Sequence, residues 1–409
     1  MRFITAVIGL AGLAAATPAN QQSSQDLGTV LSQYTTLTTF TKLLKKYPDL
    51  LLQLPNYDGV TIIAPNNDAF EQIPYSSLKE IWNPDNKDVT VPLLQYHVLQ
   101  NTVNTADLKP GPIYMRPTLL MDPKFTNVTS GQNILIAKQN NEIVFMSGMG
   151  NRVVLVDNDI PFQGGIIHIV DNLLTPPSPI RQTALNFQLN SFLGGLFETH
   201  IMPKLSGEKN VTIFAPTDHS LRYVGGSLEN ADDETLENIM AYHVVPNQVI
   251  SSTHLANGTK LETMAKDSSG NPEMIVVRQL TNNLYINSAQ VQQTDILLAN
   301  GIMHIISNVL NPEDDSVIPN PTLWSQPAVF PESKVELNPF TSAIPCTANC
   351  PVTKTPVKTT HAPTPTPTAT PKKTSMHSTR SSEGWAPARA TVHVAGAALG
   401  IMGAGMALL

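Results

Sequence analysis

Charge is scarce in this chain. Asp, Glu, Lys and Arg make up 14% of its residues, well short of the roughly 25% of an ordinary soluble protein. With 25 basic against 32 acidic side chains the formal net charge is −7. Nothing here could neutralise a run of phosphates, which excludes a nucleic-acid binder. Cysteine is scarcer still. Two residues, Cys346 and Cys350, cannot build a disulfide framework or a four-cysteine metal site. Catalytic signatures are missing as well: Phe145 precedes Met146-Ser147-Gly148 where a nucleophile elbow needs glycine, and there is no H-E-x-x-H, no phosphate-cradling G-x-x-x-x-G-K and no calcium-loop spacing around Asp157 and Asp159. The sequence therefore predicts a non-catalytic protein with no metal and no cofactor. What it has in excess is proline, 33 of 409 residues, against an average of about 5%.

The two ends predict a location. Met1-Arg2 followed by the apolar run Phe3 to Leu13 and Ala14-Ala15-Ala16 has the order of a secretory signal peptide, assigned to residues 1–16. Residues 384–409 become rich in Ala, Gly, Met and Leu, behind the small residues Ser381-Ser382-Glu383-Gly384. That is the layout of a lipid-anchor signal with a cleaved hydrophobic tail, with Ser382 or Gly384 as the attachment residue. Upstream, residues 313–383 are rich in Pro, Thr and Ser, as in Thr364-Pro365-Thr366-Pro367-Thr368. Such a segment buries too little apolar surface to offset its ordering entropy and is predicted to be a disordered, O-glycosylated stalk. Cys346 and Cys350, near the start of the stalk, would close a small loop or pair with another chain in an oxidising compartment. Sequons at Asn127, Asn210 and Asn257 agree with the secretory route and predict N-glycosylation.

Between the ends the chain repeats itself. Val60-Thr61-Ile62-Ile63-Ala64-Pro65 matches Val211-Thr212-Ile213-Phe214-Ala215-Pro216, each followed by a polar residue suited to cap a helix. Leu94-Gln95-Tyr96-His97-Val98-Leu99 matches Met240-Ala241-Tyr242-His243-Val244-Val245. Asp159-Ile160 leading to Gly165-Ile166-Ile167-His168-Ile169-Val170 matches Asp295-Ile296 leading to Gly301-Ile302-Met303-His304-Ile305-Ile306. Three blocks in one order make a duplication of whole domains, joined by the stiff linker Thr175-Pro176-Pro177-Ser178-Pro179. Helical spacing is predicted over Thr38 to Tyr47 and Glu234 to Val244. Strands are predicted over Asn133 to Ile136, Ile143 to Met146, Val153 to Val156 and Met274 to Val277.

These three blocks resemble the fasciclin domain, over residues 23–175 and again over 178–312. The resemblance implies an α+β fold: two tandem domains, each a β-sandwich-like wedge with flanking short helices. With the signal, stalk and anchor it is similar to secreted, GPI-anchored fasciclin-like glycoproteins of fungal type. It implies adhesion or contact with a cell-wall or matrix glycan or protein at the cell surface, and attachment to membrane only through a lipid anchor. An alternative is an accessory role beside a secreted multicopper oxidase, a laccase, in oxidative coupling of aromatic polyketides. By resemblance to the recognition motifs of animal fasciclin proteins, the candidate binding residues are Tyr96, His97, Asp159 and Ile160, with Tyr242, His243, Asp295 and Ile296 in the second copy. The competing reading makes the same residues internal ties of the fold, since buried polar groups are normally hydrogen-bonded. His168 and His304, set among apolar residues, fit that reading too.

Overall fold

The computed structural model describes residues 25–346, apart from 58, 141, 315–316 and 332–334. The signal segment 1–16, Cys350, the Thr/Pro run beyond residue 346, Ser382, Gly384 and the tail 384–409 lie outside the described residues. Helices α1 (Leu27–Ser32) and α2 (Thr38–Lys46) open the first domain and lead to strand β1 (Val60–Pro65). Helices α3 (Asn67–Glu71) and α4 (Lys87–Tyr96) follow, then β2 (Val98–Leu99), β3 (Ile113–Pro117), β4 (Asn133–Gln139), β5 (Glu142–Met146), β6 (Arg152–Phe162) and β7 (Gly165–Val170). The second domain repeats the plan. It runs through α5 (Ile180–Asn186), α6 (Asn190–Glu198), α7 (Ile201–Gly207), β8 (Val211–Pro216), α8 (Asp218–Glu229), α9 (Asp233–Ala241) and β9 (Val244–Val245). Then come β10 (Lys260–Lys266), β11 (Pro272–Leu280), β12 (Asn283–Ile286), β13 (Ala289–Leu298) and β14 (Gly301–Ile306).

Each domain has one seven-stranded sheet, in the order β2-β1-β7-β6-β5-β4-β3 and, equivalently, β9-β8-β14-β13-β12-β11-β10. In the first domain the sheet curls until Leu99 bridges Thr118, just beyond β3. Among the described strands, only β1 with β7 and β8 with β14 pair in parallel. Both members of these pairs are almost wholly buried, which is why they read as unbroken apolar runs and not as alternation. Gly165 and Gly301 start β7 and β14 because the neighbouring strand leaves no room: a Cβ would stand 2.1 Å from the Val60 carbonyl oxygen and 1.9 Å from that of Val211. After β1 and β8 the prolines end the strands, and the side chains of Asn66 and Thr217 accept from Ala69 and Ser220 N–H to start α3 and α8. The four predicted strands are present within β4, β5, β6 and β11. The helix predicted to reach Val244 stops at Ala241, because Tyr242 and His243 turn the chain into β9.

The domains share a packed seam. Leu135 of β4 is buried with Leu297 of β13 and Ile302 of β14, walled by Met115, Met146 and Val249. The fully buried Gln132 amide donates to Leu298 O (3.1 Å) and Ala299 O (3.3 Å), and Asn127 N–H donates to Ala299 O (2.8 Å). The linker is pinned as well as stiff, since a Cβ on Gly148 would fall 2.6 Å from the Pro176 carbonyl oxygen.

One expectation is corrected here. The stalk was expected from residue 313, but the described residues between 317 and 346 lie along the second domain as a strap. Phe340 is buried in that domain's core, with Phe330 and Ile344 packed against it. Glu336 N–H donates to Arg222 O (3.1 Å), Arg222 Nε to Leu337 O (3.1 Å), and Asn308 Nδ2 to Pro327 O (2.8 Å). Proline spacing does make this segment extended. Its few large apolar side chains, delivered one at a time into slots on the domain, supply the burial that composition alone discounted.

Candidate functional site

The candidate residues take equivalent places in the two domains: the Tyr-His pairs tie the helix end to strand β4 or β11 and to the segment after β7 or β14, and the Asp residues tie the loop that follows β2 or β9. Tyr96 and Tyr242 are fully buried at the ends of their helices, and their hydroxyls donate to Asn133 O (2.9 Å) and Met274 O (2.8 Å). Burial pushes the Tyr96 hydroxyl well above its ordinary value. His97 sits between two backbone groups: Nδ1–H donates to Leu93 O (2.8 Å), and Nε2 accepts from Leu174 N–H (2.9 Å). His243 does the same with Ile239 O (2.8 Å) and Leu310 N–H (2.9 Å). One nitrogen must donate and the other accept, so both rings are neutral with the proton on Nδ1. Burial lowers each to about 4.

His168 of β7 and His304 of β14 carry the opposite tautomer. Their Nδ1 atoms accept from the N–H of Asp159 and Asp295 (3.2 Å each), and Nε2–H donates to Val103 O and Ile250 O (2.9 Å each). Burial lowers both pKa values, opposed in part by the neighbouring aspartate. Asp159 and Asp295 stand at irregularities in the β6–β7 and β13–β14 pairing with φ of 54° and 62°, a left-handed conformation that aspartate tolerates better than most residues. From there Asp159 accepts the N–H of Thr105 (3.0 Å) and its hydroxyl, and Asp295 accepts the N–H of Ser252 (2.7 Å) and its hydroxyl. Burial works against the charge of Asp159, but the Thr105 hydroxyl and N–H and the Asn158 amide hold it below the usual carboxylate value. Ile160 and Ile296 turn into the core.

Each loop is thus tied from three strands at once. Asp fastens it from β6 or β13 and His from β7 or β14, while Thr61 of β1 or Thr212 of β8 accepts Val103 or Ile250 N–H (2.8 and 2.9 Å). Sequence reasoning did not single out these threonines. Their signal is the second position of each Val-Thr-Ile strand, a hydroxyl inside an apolar run. The polar atoms of Tyr, His and Asp at these positions are committed to backbone and side-chain partners within the domain, an arrangement that ties the fold together. Among the described residues no group of three or more His, Cys, Asp or Glu could hold a metal ion.

The three sequons differ. Asn257 is exposed, and its Oδ1 accepts from Gln279 N–H (2.8 Å). Asn210 lies half-buried in the seam, with Oδ1 accepting Thr129 N–H (2.9 Å) and Nδ2 donating to the Thr129 hydroxyl (2.9 Å). Asn127 is half-buried two residues before that threonine. Cys346 is disulfide-bonded.

Comparison with known proteins agrees with this duplicated plan. A family profile for the fasciclin domain matches residues 35–176 and 187–312. The chain is 27% identical over 317 residues to a fasciclin-like arabinogalactan protein of Arthroderma benhamiae, covering 77% of this chain and 73% of that one. It is 28% identical over 292 residues to a fasciclin-like arabinogalactan protein of Phaeosphaeria nodorum, covering 70% and 89%. Among solved structures it is similar to a FAS1 domain pair from the insect cell adhesion molecule fasciclin I, at 17% identity and a TM-score of 0.32, over 69% of this chain and 99% of that one. Two profile matches, falling on the two copies of the same sheet and the same loop ties, show that this chain belongs to the fasciclin family and carries its domain twice.

Proposed function

We propose that this protein is a secreted surface glycoprotein that acts by contact, presenting its two domains to a cell-wall or matrix glycan or protein. The observation that carries this reading is the packed seam between two family-matched domains. The Gln132 bridges and the Leu135, Leu297 and Ile302 cluster fuse them into one presenting body, and contacts made by both copies then sum with little added ordering cost. Asp159 and His168, with Asp295 and His304 in the second copy, serve that role by holding the presenting loops 100–107 and 247–254 in shape. The signal peptide, the Thr/Pro stalk beyond residue 346 and a lipid anchor at Ser382 or Gly384 would place the body outside the cell. An N-glycan at Asn257 fits its exposed turn.

The test is gene deletion with two readouts, surface adhesion and secreted aromatic metabolites, complemented by the full chain and by a chain ending at Ser381. Adhesion lost on deletion and restored only by the full chain supports the proposal. Intact adhesion with loss of an oxidatively coupled aromatic product overturns it in favour of an accessory to a secreted oxidase.

A further inference from the structure

Where α4, the linker and the tip of the β13–β14 turn meet, the first domain has a cavity of about 210 Å³. Leu78, Trp82, Leu93, Phe125, Pro177 and Ala299 line it, and Ile81, 54% exposed, stands at its edge. Lys124 is the one charged residue on its wall, and no described carboxylate pairs with it. A buried apolar cavity of about 150 Å³ accepts benzene, so this volume suits one or two fused rings, below the roughly 300 Å³ of drug-sized sites.

The second domain indicates what belongs there. On α9, Thr235 and Ile239 occupy the positions that Val89 and Leu93 occupy on α4, and they too border a hollow, of about 250 Å³. Its edge is formed by an aromatic ring from the chain itself, Phe330 of the strap, and its remaining walls include the charged Lys266, Asp267, Glu273 and Glu313. No strap runs along the first domain among the described residues, and the walls there are mostly apolar, with Lys124 and Ser178 as the polar side chains.

We propose that this cavity is a binding site for a small aromatic acid, whose rings lie among Trp82, Phe125 and the linker prolines and whose carboxylate faces Lys124. Because linker residues and Ala299 form part of the wall, the occupant also bridges the two domains.

Calorimetric titration of the full chain with 2-naphthoate, 2-naphthamide and cyclohexanecarboxylate tests this. Saturable binding is expected for 2-naphthoate, roughly tenfold tighter than for cyclohexanecarboxylate, with a stoichiometry of one. Two variants at exposed positions leave the fold intact, which an unchanged thermal midpoint verifies. Ile81→Glu is expected to weaken 2-naphthoate about tenfold or more by placing like charge at the rim. Lys124→Gln is expected to weaken it about fivefold while leaving 2-naphthamide unchanged. Absence of saturable 2-naphthoate binding overturns the proposal, as does binding that neither variant alters. A peptide of residues 325–331 binding more tightly than 2-naphthoate would also overturn it, marking the cavity as a groove for an extended chain.

Discussion

The two domains share a sheet order, a pair of histidine tautomers and an aspartate at the same irregularity, yet one is left bare where the other is wrapped. The reason is visible in their helices. α6 has Gly194-Gly195 where α2 has Lys42-Leu43, and Lys42 is exposed. A Cβ on Gly194 would stand 2.2 Å from the Phe340 carbonyl oxygen, and one on Gly225 of α8 would stand 2.9 Å from Pro339. In the first domain the position matching Gly225 is Pro74, in a short 3-10 turn, and α3 ends after five residues where α8 runs for twelve. Glycine inside a helix costs about 1 kcal/mol relative to alanine. The second domain tolerates that because the strap restores apolar burial in the space the missing side chains leave.

The largest expected asymmetry comes from removing the strap's anchor. Phe340→Ala should cost the second domain about 3–5 kcal/mol and leave the first nearly unchanged. Domain-resolved hydrogen exchange checks this, and equal loss in both would break the comparison. Acid should instead treat the domains alike. His97 and His243 are lowered to about 4 in the folded protein by burial, against about 6.5 unfolded. The unfolded chain therefore takes up protons first. Stability is complete above about pH 6.5 and falls as the pH drops towards 4, by roughly 3 kcal/mol per histidine. His168 and His304, also lowered, act in the same direction. Urea unfolding between pH 7 and 4 should show parallel decline, and His243→Gln should flatten it in the second domain only.

A smaller difference is expected at the matched aspartates. Asp295 is 6% exposed while Asp159 is half-buried, so Asp295→Ala strands the Ser252 N–H and hydroxyl at about 2–3 kcal/mol. Asp159→Ala lets water replace the carboxylate at about 1 kcal/mol. Thermal midpoints of the two variants sharpen this point, and a reversed order would contradict the burial argument. The smallest effect falls on the seam itself. Gln132→Ala should cost about 1 kcal/mol, read as faster exchange at Ala299 and Asn127 with each domain's core protected.

Much of this was legible in the sequence. The duplication, the apolar strands and the reading of the Tyr-His pairs as internal ties follow from residue type and order, because an apolar run with one polar residue has few ways to satisfy that residue; the parallel pairing of those strands does not. Asp159 and Asp295 were legible as recognition residues or as internal ties, without what they tie. Their actual partners, Thr105 and Ser252, are 54 and 43 residues away, and no local pattern encodes that distance. The strap was illegible for a related reason. Proline spacing specifies an extended backbone but not the surface along which it lies, and only the paired glycines of α6 and α8 hint that something must approach those helices. The seam's buried side-chain bridge comes from Gln132, a single amide in a loop with no periodicity around it.

The strap also sets the order in which the molecule yields to a pull. It leaves the second domain beside Arg181, which donates to the Pro345 carbonyl, so tension entering at residue 346 loads this contact, then Phe340, then the Arg222 and Asn308 bonds in turn. These contacts lie in series along the strap, between the point of pull and the sheet of the second domain. A pull applied at residue 346 would therefore meet the strap before the second sheet, and the first domain, joined through the pinned linker and the seam, after both.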